Sequence, residues 1–419
     1  MNVLVDCRGI RPGRSRGIEN FAYCVIEGLA AQVTSVVVDV AAPDRAFYRH
    51  RFRDVANIRI ITDPVVGFFQ RLAGCAQPLE LAVRALRRVT AVVGFDPLGR
   101  RLAWARRLRA DVVYYPFHGH APQHAHLPMV TTIHAILPEY GEKMMATIQA
   151  HVDTARAVVT SWPYPFEDLQ ERYALPAGRL FVVPFTAQQG APSAAAADLA
   201  RYGVTGDFYF YPAVITERKN HINLIRAYGR LRASGAQRRM VVCTGGGDAV
   251  LRQRLIREAT ELGVAESFRF LDYVPKEIMT ALYDHCTATI SPTLWEAGMA
   301  TLQEGGAAGK PALCADIAPA RAHAKLLNMD VCFFDPRDPD DIARKILAFE
   351  RDAERYVTSA ERVRDVIRGF DAAYTGSCYA EILSHAAGFS GIPAWAPYRP
   401  PSPATATVPL QDRSPAEKP

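Results

Sequence analysis

Short apolar runs alternate with stretches of helical spacing along most of the chain. Residues 2–6, 35–40, 58–62, 111–115, 129–133, 157–161 and 181–184 are nearly continuous apolar runs bounded by Gly, Pro or polar residues. Such runs predict strands buried on both faces. Between them, Phe21, Val25, Ile26 and Leu29 recur at helical spacing over 18–31, and 164–173 predicts another helix. The second half repeats the theme. Strands are predicted at 208–211, 240–244, 268–271, 287–290 and from 311, and helices at 221–231, from Thr301, at 340–349 and at 370–386. Strand and helix in turn predict an α/β fold with doubly wound sheets.

Composition changes that picture little. The 419 residues suit two domains, and 49% hydrophobic content supplies two cores. The boundaries fall at 1–187, an Ala/Gln/Gly/Pro-rich linker at 188–206, 207–366, a last helix at 367–388, and a Pro-rich tail expected to be disordered at 389–419. The net charge of +6 is modest, and no nucleic-acid motif stands out. Eight scattered cysteines without C-x-x-C or Cys/His metal spacing read as reduced thiols, which points to the cytoplasm. The first residues read as a strand rather than a signal peptide, and no apolar run is long enough to span a bilayer. Residues 80–110 interleave eight arginines with aliphatic and aromatic positions. That stretch suits the anionic inner face of a membrane, or a helix packed with its arginines outward.

The candidate chemistry concentrates at 291–311, SPTLWEAGMATLQEGGAAGKP. It reads as a strand end, a loop carrying Glu296 and Gly298, and a helix opened by Thr301-x-x-Glu304, the form of a capping box. Amides near Met299 and Ala300 would face outward at that helix start, a place for phosphate or sugar oxygens. A carboxylate there can instead accept hydrogen bonds from a ribose diol. Earlier, a Gly- and Arg-rich loop to Gly17, including Arg16, joins the first strand to the first helix, where doubly wound sheets bind ligands. His134 stands at the end of another strand. The pairs H-x-H in HGHAPQHAH, from His118 to His126, have no carboxylate among them and do not make a metal site by spacing. Asp338-Pro339-Asp340 fits a metal-binding D-x-D, but Pro and acids belong at a helix start, so capping is the reading.

Glu296 and Glu304, seven residues apart after SPT, resemble the E-x7-E signature of the retaining glycosyltransferases of family 4. The likeness extends through FYFYPAVITERKNHINLIRAYGRL, FRFLDYVPKEIMTALYDHCTATISPT and FFDPRDPDDIARKI, from about residue 208 to 349. It implies a GT-B fold, two Rossmann-like domains facing a central cleft, with the last helix crossing back to the first. It also implies a cofactor- and metal-independent enzyme. Such an enzyme moves a hexose from a nucleotide-sugar donor to a saccharide or lipid-linked acceptor in polysaccharide assembly. By resemblance Lys219 holds the donor diphosphate, helped by Arg218, because Val214 occupies the place of the family's arginine. Glu296 and His134 orient the sugar, although Ala135 replaces the family's aspartate. Tyr273 and Val274 lie at the base, Gly298, Met299 and Ala300 at the phosphates, Glu304 at the ribose, and Arg16 and Gly17 near the diphosphate. An epimerase or hydrolase on the same fold, or a non-catalytic nucleotide-sugar binder, are the alternatives.

Overall fold

A computed structural model describes residues 1–13, 16–62, 109–124, 126–137, 140–185, 193–236 and 239–398. The arginine-rich stretch 80–110 therefore lies almost wholly outside the described residues. The chain divides into two compact units, Met1–Ala187 with Phe370–Arg399, and a second built on Gln188–Gly369.

The first unit runs β1 (Asn2–Asp6), α1 (Arg16–Ala30), β2 (Ser35–Asp39), α2 (Arg45–Arg51), β3 (Ile58–Ile61), β4 (Val112–Tyr115) and β5 (Met129–Thr132). It continues with α3 (Glu142–Thr154), β6 (Ala157–Thr160), α4 (Pro163–Tyr173) and β7 (Leu180–Val182). The sheet has the order β3-β2-β1-β4-β5-β6-β7, and every pairing is parallel. Period-two alternation sends Val3, Val5 and Tyr114 into one core and Leu4, Val113 and Tyr115 into the other, so the strands read as unbroken apolar runs.

The second unit runs α5 (Ala196–Leu199), β8 (Phe208–Pro212), α6 (His221–Ala233), β9 (Met240–Thr244), α7 (Ala249–Glu261), β10 (Phe268–Phe270) and α8 (Lys276–His285). Then come β11 (Ala288–Ser291), α9 (Ala300–Ala307), β12 (Ala312–Ala315), α10 (Ala318–Leu327), β13 (Cys332–Phe334), α11 (Pro339–Arg351) and α12 (Ala353–Arg368). Its parallel sheet, β10-β9-β8-β11-β12-β13, has the Rossmann strand order. In each sheet the order reverses between two neighbours, β1 and β4 in the first, β8 and β11 in the second. Ligands of such sheets sit outside the carboxyl ends of those strands.

The last helix, α13 (Ala372–Ala387), belongs to the first unit and crosses α1 where Gly28 meets Gly376. Its Tyr379 hydroxyl reaches the Thr132 hydroxyl at 2.7 Å. The expectation of disorder from residue 389 does not hold over 389–398. There the Val182 amide donates to the Pro397 carbonyl at 2.7 Å and the Trp395 indole to Glu381. Trp395 packs on the core, which overrides its Pro-rich surroundings. Within the stretch expected as a linker, Leu199 and Val204 are buried beneath α8. Helices α2, α3, α5, α7, α8, α10 and α12 and strand β13 were not anticipated. Arg16 and Gly17, expected in a loop, are the first two residues of α1. Among the described residues no helix is long and apolar enough to cross a membrane.

Candidate active site

In the second unit the loops after β8 and β11 leave from adjacent strands at the point where the strand order reverses. The first is a 3-10 turn, Glu217–Lys219, closed by Asn220 in the left-handed region at φ 56°. Asparagine tolerates that backbone. Its side-chain amide donates to the Pro292 carbonyl at 2.8 Å and the Pro336 carbonyl at 2.7 Å, so one residue ties three carboxyl-edge loops. The Tyr211 hydroxyl donates to the Lys219 carbonyl at 2.8 Å, and the Leu294 amide to the Arg218 carbonyl at 2.9 Å. The glycine triplet 245–247 also contributes. The Ile215 amide bonds the Gly246 carbonyl at 2.9 Å, and a side chain on Gly247 would collide with Ile215. Here glycine is needed for close approach of two backbones.

This scaffold brings Arg218, Lys219 and Glu296 together. The Lys219 ammonium is bonded to Glu296 Oε1, and Arg218 Nη1 lies 3.0 Å from Glu296 Oε2. Thr293 donates to the same carboxylate at 3.0 Å, and Arg218 also donates to the Trp295 carbonyl at 2.8 Å. Two cations share one carboxylate, which leaves a net positive, partly sheltered cluster. An anion with several oxygens can take up that surplus with charge-assisted hydrogen bonds. Val214, in the place of a basic residue expected from the resemblance, is 39% exposed, and Arg218 supplies the charge beside Lys219.

Helix α9 begins at Ala300 with Met299 as its N-cap, and no side chain caps it. The expected capping box is therefore absent, because Thr301 lies inside the helix. Glu304, instead of reaching back to the cap, accepts a hydrogen bond from the Tyr283 hydroxyl of α8. Burial pushes its carboxyl up to about 7, and the Tyr283 hydroxyl works the other way. Met299 is buried and Gly298 half-buried. Tyr273 is 57% exposed and its ring leans over Gly246, while Val274 packs on the core beside it. Asp338 caps α11, accepting from the Asp340 amide at 2.9 Å.

In the first unit His134 follows β5. Its Nε2 donates to the Pro116 carbonyl at 2.9 Å, and its ring meets Phe21 of α1 edge-on at 4.6 Å. Burial lowers its pKa to about 4, so it is neutral, and Nδ1 is left as an acceptor. Gly17 is exposed at the start of α1. The histidine loop does have carboxylates near it, but from distant sequence. Asp6 and Asp39 end adjacent strands, and the Arg8 guanidinium bonds Asp6 and lies 3.3 Å from Asp39. His120 lies 3.4 Å from Asp6. Asp6, Asp39 and His124 are the metal-type ligand set that converges among the described residues, and Arg8 already lies against both carboxylates. Asn220, Thr293, Tyr283 and the Asp6 cluster escaped the sequence reading. Only Asn220 left a local sign there, an αL-tolerant residue just before a helix.

Two Rossmann-like parallel-sheet units give this chain the GT-B fold, which the solved structures below share. Residues 203–366 match the family model described as glycosyl transferases group 1. The O-antigen chain mannosyltransferase B of Escherichia coli is 24% identical over 278 residues, 62% of this chain and 71% of that protein. Anabaena HepE in complex with UDP and glucose superposes with a TM-score of 0.64 at 17% identity, covering 92% of this chain and 99% of that one. A glycosyltransferase from Rickettsia africae gives 0.65 at 15% identity, covering 93% and 99%.

Proposed function

We propose that the protein is a retaining glycosyltransferase. It transfers a hexose from a nucleotide-sugar donor to a saccharide or lipid-linked saccharide in polysaccharide or glycoconjugate assembly. The observation that carries the reading is the Arg218–Lys219–Glu296 constellation where the second sheet reverses its strand order. Positive charge grows on the anomeric carbon in an oxocarbenium-like state while negative charge grows on the departing diphosphate. Arg218 and Lys219 stabilise that leaving group, as preorganised cations do. Amides at Met299 and Ala300 receive phosphate oxygens, Glu304 the ribose, and Tyr273 and Val274 the base. Glu296 and the neutral His134 orient the sugar, with Arg16 and Gly17 serving the donor from the first unit. The diphosphate itself takes the acceptor proton, so no protein carboxylate acts as nucleophile. The group 1 match over 203–366 and the mannosyltransferase relative support the same reading.

A thermal-shift panel of UDP, GDP and ADP and their sugars tests it. A ligand at 100 times its dissociation constant stabilises by about 2.7 kcal/mol. An NMR assay of the product then reads the anomeric configuration; an inverted product would refute retention. Val214 and Ala135 favour one second reading, a non-catalytic nucleotide-sugar binder, which donor binding without turnover on any acceptor would identify. We further propose weak attachment to an anionic membrane surface through residues 80–110, the alternative being a packed helix with its arginines outward. Equal flotation with neutral and anionic vesicles would remove that part.

A further inference from the structure

Glu304 is held in a way that the E-x7-E spacing does not require. Its helix α9 is seated by the two glycines that follow it. A side chain on Gly305 would meet Thr289 of β11 at 2.7 Å, and one on Gly306 would meet Ile367 of α12 at 2.4 Å. The helix backbone is thus pressed against a strand and a second helix, which fixes the Glu304 Cα. The side chain is fixed separately. Tyr283 of α8 is 4% exposed, its ring edge-on to Phe210 at 4.9 Å, and its hydroxyl ends on Glu304 Oε2. A buried tyrosine hydroxyl needs a partner, and this one has a carboxylate.

We propose that Tyr283 is a positioning residue of the donor site: its hydroxyl locks the Glu304 carboxylate in one orientation, so that it can accept both hydroxyls of a nucleoside ribose. This rests on the assignment of Glu304 to the ribose. A protonated carboxyl would offer one acceptor fewer to the diol and would compete with it as a donor. The hydroxyl of Tyr283 opposes the effect of burial, which otherwise favours the protonated form. Other charged groups on the surrounding elements lie toward the C-terminal end of α9: Lys310 near the Cys286 thiol, Arg364 over Gly309, and Arg368 on the Ala307 carbonyl. Burial and Tyr283 are what shift Glu304.

The test is calorimetric binding of UDP, GDP and ADP, each beside its 2′,3′-dideoxy counterpart, between about pH 5.5 and 8.5. The dideoxy nucleotides carry the same phosphates, so the difference between the pair isolates the diol. In the native protein the advantage of the diol grows as pH rises through about 7. In Tyr283→Phe the midpoint moves to higher pH, and the diol advantage below it falls, about tenfold for each full unit of movement. Glu304→Gln removes the pH dependence of the advantage altogether, and melting curves confirm that both variants fold. An unchanged midpoint in Tyr283→Phe, with the diol advantage intact in the native protein, overturns the role of Tyr283 and leaves Glu304 at the ribose. No diol advantage in the native protein for any nucleotide overturns both.

Discussion

Lys219 shows how much one residue's meaning depends on contacts that no local pattern contains. A cation just before a helix start opposes the helix dipole, which from sequence argues for an anion between them. The structure pairs the lysine with Glu296, 77 residues away, and leaves its side chain only 18% exposed. Lys219→Ala should cut kcat/KM about 10²–10³-fold if it resembles the loss of one oxyanion donor. The melting temperature should move little, since Arg218 and Thr293 still hold Glu296. Steady-state kinetics and a melting curve on the same preparation decide it, and near-normal turnover would remove Lys219 as the diphosphate anchor. His120 was legible only as part of a histidine-rich loop, because Asp6 reaches it through the fold. Burial works against its charge, but the Asp6 carboxylate prevails and raises its pKa. The stabilisation is therefore complete below its ordinary value of 6.5 and is lost as pH rises through the folded value. His120→Gln should lower the melting temperature most on the acid side of neutrality, with the gap closing in alkali. A gap that is constant with pH would show that His120 acts only by packing.

Elements were legible where periodicity was clean and illegible where tertiary packing decided. The strands of both sheets were readable because burial on both faces makes unbroken apolar runs, except β13, whose three residues are too short a run to stand out. Helix α3 was missed although Ile148 and Val152 face the core, since polar residues and His151 dilute its apolar stripe. The start of α9 was misread because a capping box and a Thr and Glu one turn inside a helix have the same sequence. The seat of α13 on α1 is a third case, a close crossing that only two glycines permit. A methyl on Gly376 would sit 2.1 Å from the Gly28 carbonyl carbon, and one on Gly28 would sit 2.0 Å from the Ala372 carbonyl oxygen. Gly376→Ala should destabilise the first unit by about 1–3 kcal/mol, although alanine is the better helix former. Gly391→Ala offers a comparison, since open space surrounds that position and its φ is not positive. Chemical denaturation of both reads the difference, and an unchanged midpoint in Gly376→Ala would mean that α13 is not seated there.

For the molecule as a whole, the strand orders and the position of the cation pair set the remaining question, how leaving-group charge is met. A departing diphosphate can be compensated by a divalent ion or by fixed cationic side chains. This chain places Arg218 and Lys219 on a turn tied to two other loops by Asn220, so their positions are prepaid by the fold. The carboxylates that a sequence scan would offer to a metal have other duties. Asp338 caps α11, Asp340 lies 3.0 Å from Arg230, and Glu296 is shared by both cations. Asp6 and Asp39 in the first unit lie against Arg8, a cation that a metal would have to displace. Transfer should therefore proceed at its full rate in EDTA, and added magnesium or manganese should leave kcat unchanged. Arg218→Ala should slow the reaction without making it metal-dependent, because the remaining ligands are already engaged. Loss of turnover in EDTA that manganese restores would place the leaving-group charge on a metal and overturn the role given to Arg218 and Lys219.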